Sequence, residues 1–319
     1  MKKILGIFGL LVFVVLVAVA LNPVFIKPGN IENLIHRSSL YAIISIGVAF
    51  VIFTGGIDLS VGALIGYVGV LLPMLLTTYN WPVPLAVVTV LALCAATGLW
   101  HGLLITKLRL QPFIVTLATL LAVRGLALTL AGTRAAVAAP GDFQKLGDWS
   151  LLGLPVAAWA MLFAFLVGAG VLNYTAWGRR VLAIGGNVDA ARLMGLPVAR
   201  TTFSVYVLSG ALAGCAGVFL GSQNGSVDTA AGQGWELSAI AAVVVGGTLL
   251  TGGVGSVLSS LVGVLLLQLI FNLIVFENGK GFISISSFWE SVIRGGFLLV
   301  VVLLQVRLVR RRDATGRPT

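Results

Sequence analysis

The run ILGIFGLLVFVVLVAVAL, residues 4–21, is the first of ten apolar segments that decide the fold. A helix needs about 20 mainly apolar residues to cross the hydrocarbon core of a bilayer. The 319-residue chain is 59% hydrophobic, with a mean hydropathy of +1.09, which is typical of a polytopic membrane protein. The sequence predicts an all-α fold with about ten transmembrane helices, at 4–21, 39–54, 61–78, 84–105, 113–131, 155–172, 202–222, 236–251, 255–276 and 289–306.

The distribution of basic residues predicts the orientation of these helices. Cytoplasmic loops of membrane proteins carry an excess of Lys and Arg. With the N-terminus inside, thirteen basic residues fall on the cytoplasmic side and five outside, so both termini are predicted to be cytoplasmic. The cytoplasmic set is Lys2, Lys3, Lys107, Arg109, Arg179, Arg180, Arg192, Arg200, Arg307, Arg310, Arg311, Arg312 and Arg317; the outside set is Lys27, Arg37, Arg134, Lys145 and Lys280.

This bias also accounts for the net charge of +10. The chain has no basic run interleaved with aromatic residues, so we expect a lipid bilayer as its environment and no nucleic acid as a partner. The chain is interpreted as one transmembrane domain, 1–319, with a cytoplasmic loop at 173–201 and a basic tail at 307–319. Ala18-Val19-Ala20 resembles a signal-peptidase site, but the run before it exceeds a usual signal core, which favours its retention.

The sequence argues against an enzyme. It contains no G-x-x-x-x-G-K-[ST] phosphate loop, and its one Gly-Lys pair, Gly279-Lys280, lacks the upstream glycine. His36 and His101 are isolated, so each is interpreted as a polar cap or interface residue rather than a ligand. Cys94 and Cys215 lie in apolar segments as core residues, without metal or disulfide spacing. We therefore expect no catalytic residue, no metal and no cofactor in this chain.

Two apolar segments are interrupted by paired glycines, Phe50–Gly62 (FVIFTGGIDLSVG) and Val243–Gly255 (VVVGGTLLTGGVG). Such interruptions in the two halves of a transporter often flank its pathway, although glycines also permit close helix packing. Asp58 is interpreted as an N-cap of the third span; the alternative places it beside a break that gates a pathway. The candidate pathway or gate residues are Gly55, Gly56, Asp58, Ser60, Gly246 and Gly247.

Other polar and aromatic residues in the spans receive structural interpretations. Arg124 and Arg294 are predicted to be buried donors to carbonyls or to a carboxylate such as Glu236 or Glu290. The tryptophans near predicted outer ends are assigned to the interfacial aromatic belt and not to a substrate. These are Trp81, Trp149, Trp159, Trp235 and Trp289.

The polar segment GRRVLAIGGNVDAARLMGLPVAR, residues 178–200, is the strongest functional feature. Asn187 can cap a short helix over 188–194, and Gly195 followed by Pro197 can end it. Ala190, Leu193 and Met194 offer an apolar strip beside Asp189 and Arg192. An ordinary positive-inside loop would explain the arginines alone, but an apolar strip with a charged rim favours a docking helix.

Four blocks resemble the membrane permeases of bacterial ABC importers for monosaccharides, the ribose, xylose and galactose type. They are GGIDLSVGA at 55–63, QPFIVTLATLLAVRGLAL at 111–128, AIGGNVDAARLMGL at 183–196 and AAVVVGGTLLTGGVGSV at 241–257, and the similarity covers essentially the whole chain. Within this family, RLMG, VVGGTLLTGGVGSVL and FIVTL…RG are most similar to the shorter permease of the galactofuranose importer.

The resemblance implies a type II importer arrangement in the bacterial inner membrane. It implies a second permease subunit, identical or different, a periplasmic sugar-binding protein, and cytosolic ATPase subunits that hold ATP and Mg²⁺. It also implies that a cytoplasmic coupling helix enters a groove of the ATPase. By motif, the ATPase-coupling residues are Gly185, Gly186, Asn187, Asp189, Ala190, Arg192 and Gly195, and the apolar strip adds Leu193 and Met194.

Two other classes of function remain as alternatives. An ion-coupled secondary sugar transporter would use Asp58 as its coupling carboxylate. A membrane scaffold without transport activity has no specific residue in its favour.

Overall fold

The computed structural model describes residues 2–132, 136–138, 140–224, 226–228 and 230–278, with 289, 292–293, 295–300, 303 and 307. Within this part of the chain a 3-10 turn, Pro23–Ile26, links the helix that ends at Leu21 to the helix that begins at Pro28. Strand β1, Ala136–Ala138, pairs antiparallel with β4, Ser226–Asp228, and β2, Ser150–Leu151, pairs with β3, Leu154–Pro155. The helices are α1 Lys2–Leu21, α2 Pro28–Phe53, α3 Val61–Thr77, α4 Val83–Lys107, α5 Pro112–Ala131, α6 Gly141–Asp148, α7 Val156–Tyr174, α8 Ala176–Gly186, α9 Val188–Leu193, α10 Val198–Asn224, α11 Trp235–Val245 and α12 Val257–Asn278.

The helices confirm a helical, polytopic membrane protein. Nine predicted spans coincide with α1–α5, α7 and α10–α12. Six of the described helices are long and apolar enough to cross a bilayer, namely α2, α4, α5, α7, α10 and α12. Of the tenth predicted span, 289–306, the structure describes residues 289, 292–293, 295–300 and 303, which are helical.

Two helix boundaries differ from the prediction for local reasons. Helix α2 begins at Pro28 rather than at 39, because proline at the first helical position starts a helix even where polar residues follow. Helix α11 ends at Val245 rather than at 251, because Gly246 and Gly247 follow and Gly247 adopts a φ of 88°. At 11 residues, α11 is about 16 Å long and spans roughly half of a bilayer core.

Helix α10 is the helix around which the others pack, with contacts to α2, α3, α4, α6 and α8. Its closest neighbour is α4, and small residues allow the approach. A Cβ added at Gly98 of α4 would lie 2.6 Å from the carbonyl carbon of Tyr206, and one added at Gly210 of α10 would lie 3.1 Å from the carbonyl carbon of Cys94. Cys94 is fully buried and Cys215 is partly buried, both as free thiols, as predicted for core residues.

Different segments of the chain lie at the two ends of the helix bundle. One end, called here the α9 end, collects the 54–60, 108–111, 187–197 and 246–256 segments, several of which line one cavity. The opposite end, called here the hairpin end, carries the β2–β3 hairpin, the β1–β4 pair and α6, which packs on α10.

Replacing Gly98 with alanine is expected to destabilise the protein by about 1–3 kcal/mol, because the added methyl forces α4 and α10 apart. The matched control is Gly125→Ala in α5, where nothing lies within 4 Å and alanine favours the helix by about 0.5–1 kcal/mol. Thermal unfolding in detergent measures both variants. Equal melting temperatures for the two would contradict the packing described here.

Candidate coupling helix and pathway breaks

The residues next to the short helix α9 cap both of its ends. The Asn187 side-chain oxygen accepts hydrogen bonds from the amides of Asp189 at 3.0 Å and Ala190 at 2.9 Å. At the other end Gly195 has a φ of 75°, its amide donates to the Arg192 carbonyl, and the Leu196 amide donates to the Ala191 carbonyl. This pair of bonds is a Schellman motif. The predicted caps are confirmed, and Met194 serves as the C-cap residue.

Helix α9 has one buried and one exposed side. Ala191 is fully buried, whereas the Leu193 and Met194 side chains are 90% and 69% exposed. Arg192 donates to Asp189 at 3.2 Å on the exposed side. An apolar side chain that is almost fully exposed, beside an ion pair, has the character of a contact surface.

The glycines before α9 have different surroundings. A Cβ at Gly185 would collide with the Phe53 carbonyl oxygen and with the Gly253 amide, so this glycine lets α8 approach the end of α2. Gly186 is exposed, and a Cβ added there would meet nothing within 4 Å. Gly185 therefore positions α8 and α9 against the bundle, while Asp189, Leu193 and Met194 form the free surface.

The two glycine-interrupted segments meet at the α9 end. Each begins where a helix ends, α2 at Phe53 and α11 at Val245. The Gly253 amide donates to the Phe53 carbonyl at 3.0 Å. Gly55 has a φ of 79°, and a Cβ added there would lie 3.2 Å from the Thr251 carbonyl oxygen, so the two backbones approach closely. The α2–α3 break, 54–60, and the α11–α12 break, 246–256, are therefore in direct backbone contact.

Asp58 in the α2–α3 break is 1% exposed, and both of its carboxylate oxygens accept hydrogen bonds. Its Oδ1 accepts from the Ser60 amide at 3.0 Å and the Ser60 hydroxyl at 2.7 Å. Its Oδ2 accepts from the Ser209 hydroxyl at 2.7 Å, in the middle of α10. The bond to the residue two positions on is an Asx turn that leads into α3. The N-cap residue of α3 is Ser60 and not Asp58 as predicted, because Asp58 lies two residues too early to accept from the first turn of the helix.

The neighbourhood of Asp58 contains residues whose burial the sequence did not reveal. His101 of α4 is 1% exposed; its Nε2 lies 2.9 Å from the Thr119 hydroxyl, and its ring lies edge-on to Tyr206. The sequence predicts a polar cap or interface residue at His101, and the structure places it between α4, α5 and α10. Since Gly56 lies against the Tyr206 hydroxyl, this aromatic residue ties α10 to the break.

Of the two arginines predicted to be buried donors, Arg124 lies within the described residues, where it is half-buried. Arg124 of α5 donates to the Ala231 carbonyl at 2.8 Å and lies near the Glu236 carboxylate, which packs on Gly62 of α3. The carbonyl partner is as predicted. Arg294 and Glu290 lie outside the described residues.

Comparisons with known proteins place the chain in a family. Residues 30–302 match the family described as branched-chain amino acid transport system / permease component, and the chain belongs to it. It is 40% identical to the ribose import permease protein RbsC of Bacillus subtilis, over 98% of this chain and 94% of that protein. It is 37% identical to the L-arabinose ABC transporter permease protein AraH of Azospirillum brasilense, over 91% and 84%, and 30% identical to the xylose transport system permease protein XylH of Escherichia coli, over 90% and 87%. No solved structure matches the chain significantly.

These findings confirm the class that the motifs predicted. The chain is a transport permease subunit related to monosaccharide ABC importer permeases, and it is not an enzyme. It is a multi-pass protein of the bacterial inner membrane.

Replacing Asn187 with alanine is expected to weaken α9 by about 1 kcal/mol, because two amides lose their acceptor. Hydrogen exchange over residues 188–196 should then accelerate about fivefold. Asn187→Ser is the control, since serine restores an acceptor at the cap. Unchanged exchange in Asn187→Ala would mean that the cap does not hold the helix.

Proposed function

We propose that this chain is the permease subunit of an ATP-binding cassette importer that moves a monosaccharide across the inner membrane. The observation that supports this proposal most is α9, a helix capped at both ends that exposes Leu193 and Met194 beside the Asp189–Arg192 ion pair. Since the sequence lacks a phosphate loop, ATP-driven import requires an ATPase on another subunit. An exposed apolar strip on a rigid helix is a surface that such a subunit can bind.

The proposal includes a topology of about ten spans with both termini in the cytosol, in a type II arrangement. It is supported by the distribution of Lys and Arg and by the position of α9 at one end of the bundle. On this topology the α9 end is cytoplasmic and the hairpin end faces the periplasm. The partners are cytosolic ATPase subunits with ATP and Mg²⁺, a second permease subunit, and a periplasmic sugar-binding protein.

The contacts of α10 suggest how α9 acts on the pathway. Only Met194–Pro197 separate the two helices, so a displacement of α9 moves the start of α10 directly. Further along α10, Tyr206 lies against Gly56 and Ser209 donates to Asp58. The displacement therefore reaches the α2–α3 break, and the backbone contact at Gly253 passes it to the α11–α12 break.

A neutral sugar is the proposed cargo. The named relatives are permeases for ribose, L-arabinose and xylose, which supports a monosaccharide. A galactofuranose-type sugar is the finer proposal and rests on the RLMG, VVGGTLLTGGVGSVL and FIVTL…RG motifs alone. The second permease subunit is identical to this chain or encoded by a neighbouring gene.

Crosslinking tests the docking of α9. In a variant with Cys94→Ala and Cys215→Ala, a cysteine introduced by Leu193→Cys is expected to crosslink to the ATPase subunit, because residue 193 is 90% exposed. Tyr79→Cys, exposed to 60% at the hairpin end, is the control and should capture no ATPase. A transport-competent Leu193→Cys importer that yields no ATPase adduct would refute the coupling role.

Replacing Asp58 with asparagine separates ATP-driven import from ion coupling. The asparagine oxygen can accept from Ser60, and its amide can donate to the Ser209 hydroxyl, so the geometry is retained without a charge. We expect Asp58→Asn to keep ATP-dependent uptake within about threefold of the parent. Asp58→Leu, which leaves three donors unsatisfied, should lose most of it.

Ion coupling would give the opposite result. Uptake that stops in Asp58→Asn, and that a protonophore also stops in the parent while ATP is maintained, would identify a secondary transporter. Radiolabelled sugar uptake into proteoliposomes with enclosed ATP measures both variants.

A further inference from the structure

A cavity of about 590 Å³ opens at the hairpin end, and no function described so far uses it. Its walls are the first turns of α2 and the last turn of α10, with Gly147 of α6 beside them. A Cβ at Gly147 would meet the Ser222 carbonyl carbon and the Gln223 amide nitrogen at 2.5 and 2.6 Å, so α6 is packed against this wall. The volume lies within the range of small-molecule sites, roughly 300–1,000 Å³.

The cavity is lined by hydrogen-bonding groups of mixed charge. A carboxylate and a guanidinium offset each other, and the remaining groups are amides and one imidazole. This lining offers both donors and acceptors without a net field, which fits a ligand whose hydroxyl groups donate and accept but carry no charge. An anion or a cation would instead favour a lining of one sign. The polar side chains are those of Glu32, Asn33, His36, Arg37, Gln223 and Asn224.

Trp235 and Tyr41 provide an aromatic wall deeper in the cavity. Their rings stack with centroids 4.3 Å apart and planes inclined by 29°. Tyr41 is 7% exposed, so the stack fixes the Trp235 ring against a buried neighbour. A fixed indole presents an apolar surface to the C–H groups of a sugar ring, while the polar side chains above it reach the hydroxyls.

The stacking partner of Trp235 fixes its position along α2. Tyr41 lies 12 residues before the end of α2, about 18 Å from Phe53 along the helix axis, and 13 residues, about 20 Å, from Pro28. Trp235 is stacked on Tyr41 and therefore lies beside the middle of α2.

The cavity also points toward the interior of the bundle. Trp235 is the first residue of α11, and the next residue, Glu236, packs on Gly62 at the start of α3. Gly62 follows directly on the α2–α3 break, which carries Asp58. A molecule in the cavity is thus separated from the break by the first turns of α3 and α11.

We propose that this cavity is a low-affinity site for a neutral monosaccharide, where sugar released by the binding protein rests before it crosses the membrane. The inference depends on the proposed import function and adds the residues that receive the sugar: Glu32, Asn33, Arg37, Gln223, Asn224 and Trp235. The site is accessible from the hairpin end, where Asn224 is exposed.

Protection of a cysteine from alkylation tests the site in the assembled importer, in nanodiscs without ATP. Asn224→Cys in the Cys94→Ala, Cys215→Ala variant is treated with a bulky maleimide, with D-ribose, D-xylose or L-arabinose added at increasing concentration. A sugar at about ten times its Kd leaves about one site in ten empty, so labelling should slow about tenfold. Tyr79→Cys at the same end, outside the cavity, should be labelled at an unchanged rate.

Two outcomes overturn the inference, and they are distinguishable. If the importer transports any of these sugars but the Asn224→Cys labelling rate never changes, the site is wrong and the proposed function stands. If it transports none of them, nor D-galactose, with ATP and the binding protein present, and none of the four sugars protects, both fall. Equal slowing at residues 224 and 79 would also overturn it, because a general effect of sugar on the reagent explains that result.

A second pair of variants tests the lining through selectivity. Gln223→Leu removes a polar group from the cavity, and we expect a change of at least about threefold in the ratio of ribose to xylose uptake. Gln233→Leu, an exposed amide outside the lining, is the matched control and should leave the ratio unchanged. A mere loss of stability in Gln223→Leu would lower both uptakes together, so an unchanged ratio contradicts the inference.

Discussion

The buried carboxylate of Asp58 is the constraint on which the arrangement of the α2–α3 and α11–α12 breaks depends. A charged group deep in a membrane protein is costly unless its oxygens accept hydrogen bonds. Asp58 meets this requirement with Ser60 in its own segment and with Ser209 in α10. The α2–α3 break can therefore take this path only where α10 supplies the Ser209 hydroxyl, and a displacement of either element disturbs the other.

Close backbone contacts extend this constraint to the rest of the α9 end. Phe53 accepts from Gly253, and Gly185 lies against both, so α2, α8 and the α11–α12 break meet without side chains between them. Gly98 and Gly210 bring α4 and α10 together in the same way. Helices in lipid gain little from apolar burial against one another, so such packing and the polar contacts hold the bundle together. The abundance of glycine, 40 residues, reflects these contacts.

Local signals in the sequence located α9 closely, because Asn187, Gly195 and Pro197 act within a few residues of the helix they bound. The glycine pairs likewise predicted both breaks. Their mutual contact could not be predicted, since it joins residues 200 positions apart, and the Ser209 partner of Asp58 is 151 positions away. The span predicted at 236–251 is too long, because Gly246 and Gly247 end α11 after 11 residues.

The short α11 has an electrostatic consequence. The free amides at the start of a helix carry partial positive charge, and α11 starts beside Tyr41, in the middle of α2. Glu236 in its first turn opposes that charge, and Arg124 lies beside Glu236. The helix N-terminus carries about half a positive charge, and this fraction is what remains once the carboxylate and the guanidinium offset each other. In the proposed import function, a polar but uncharged solute would meet little field at this level, whereas an ion would have to compete with the charges of Arg124 and Glu236.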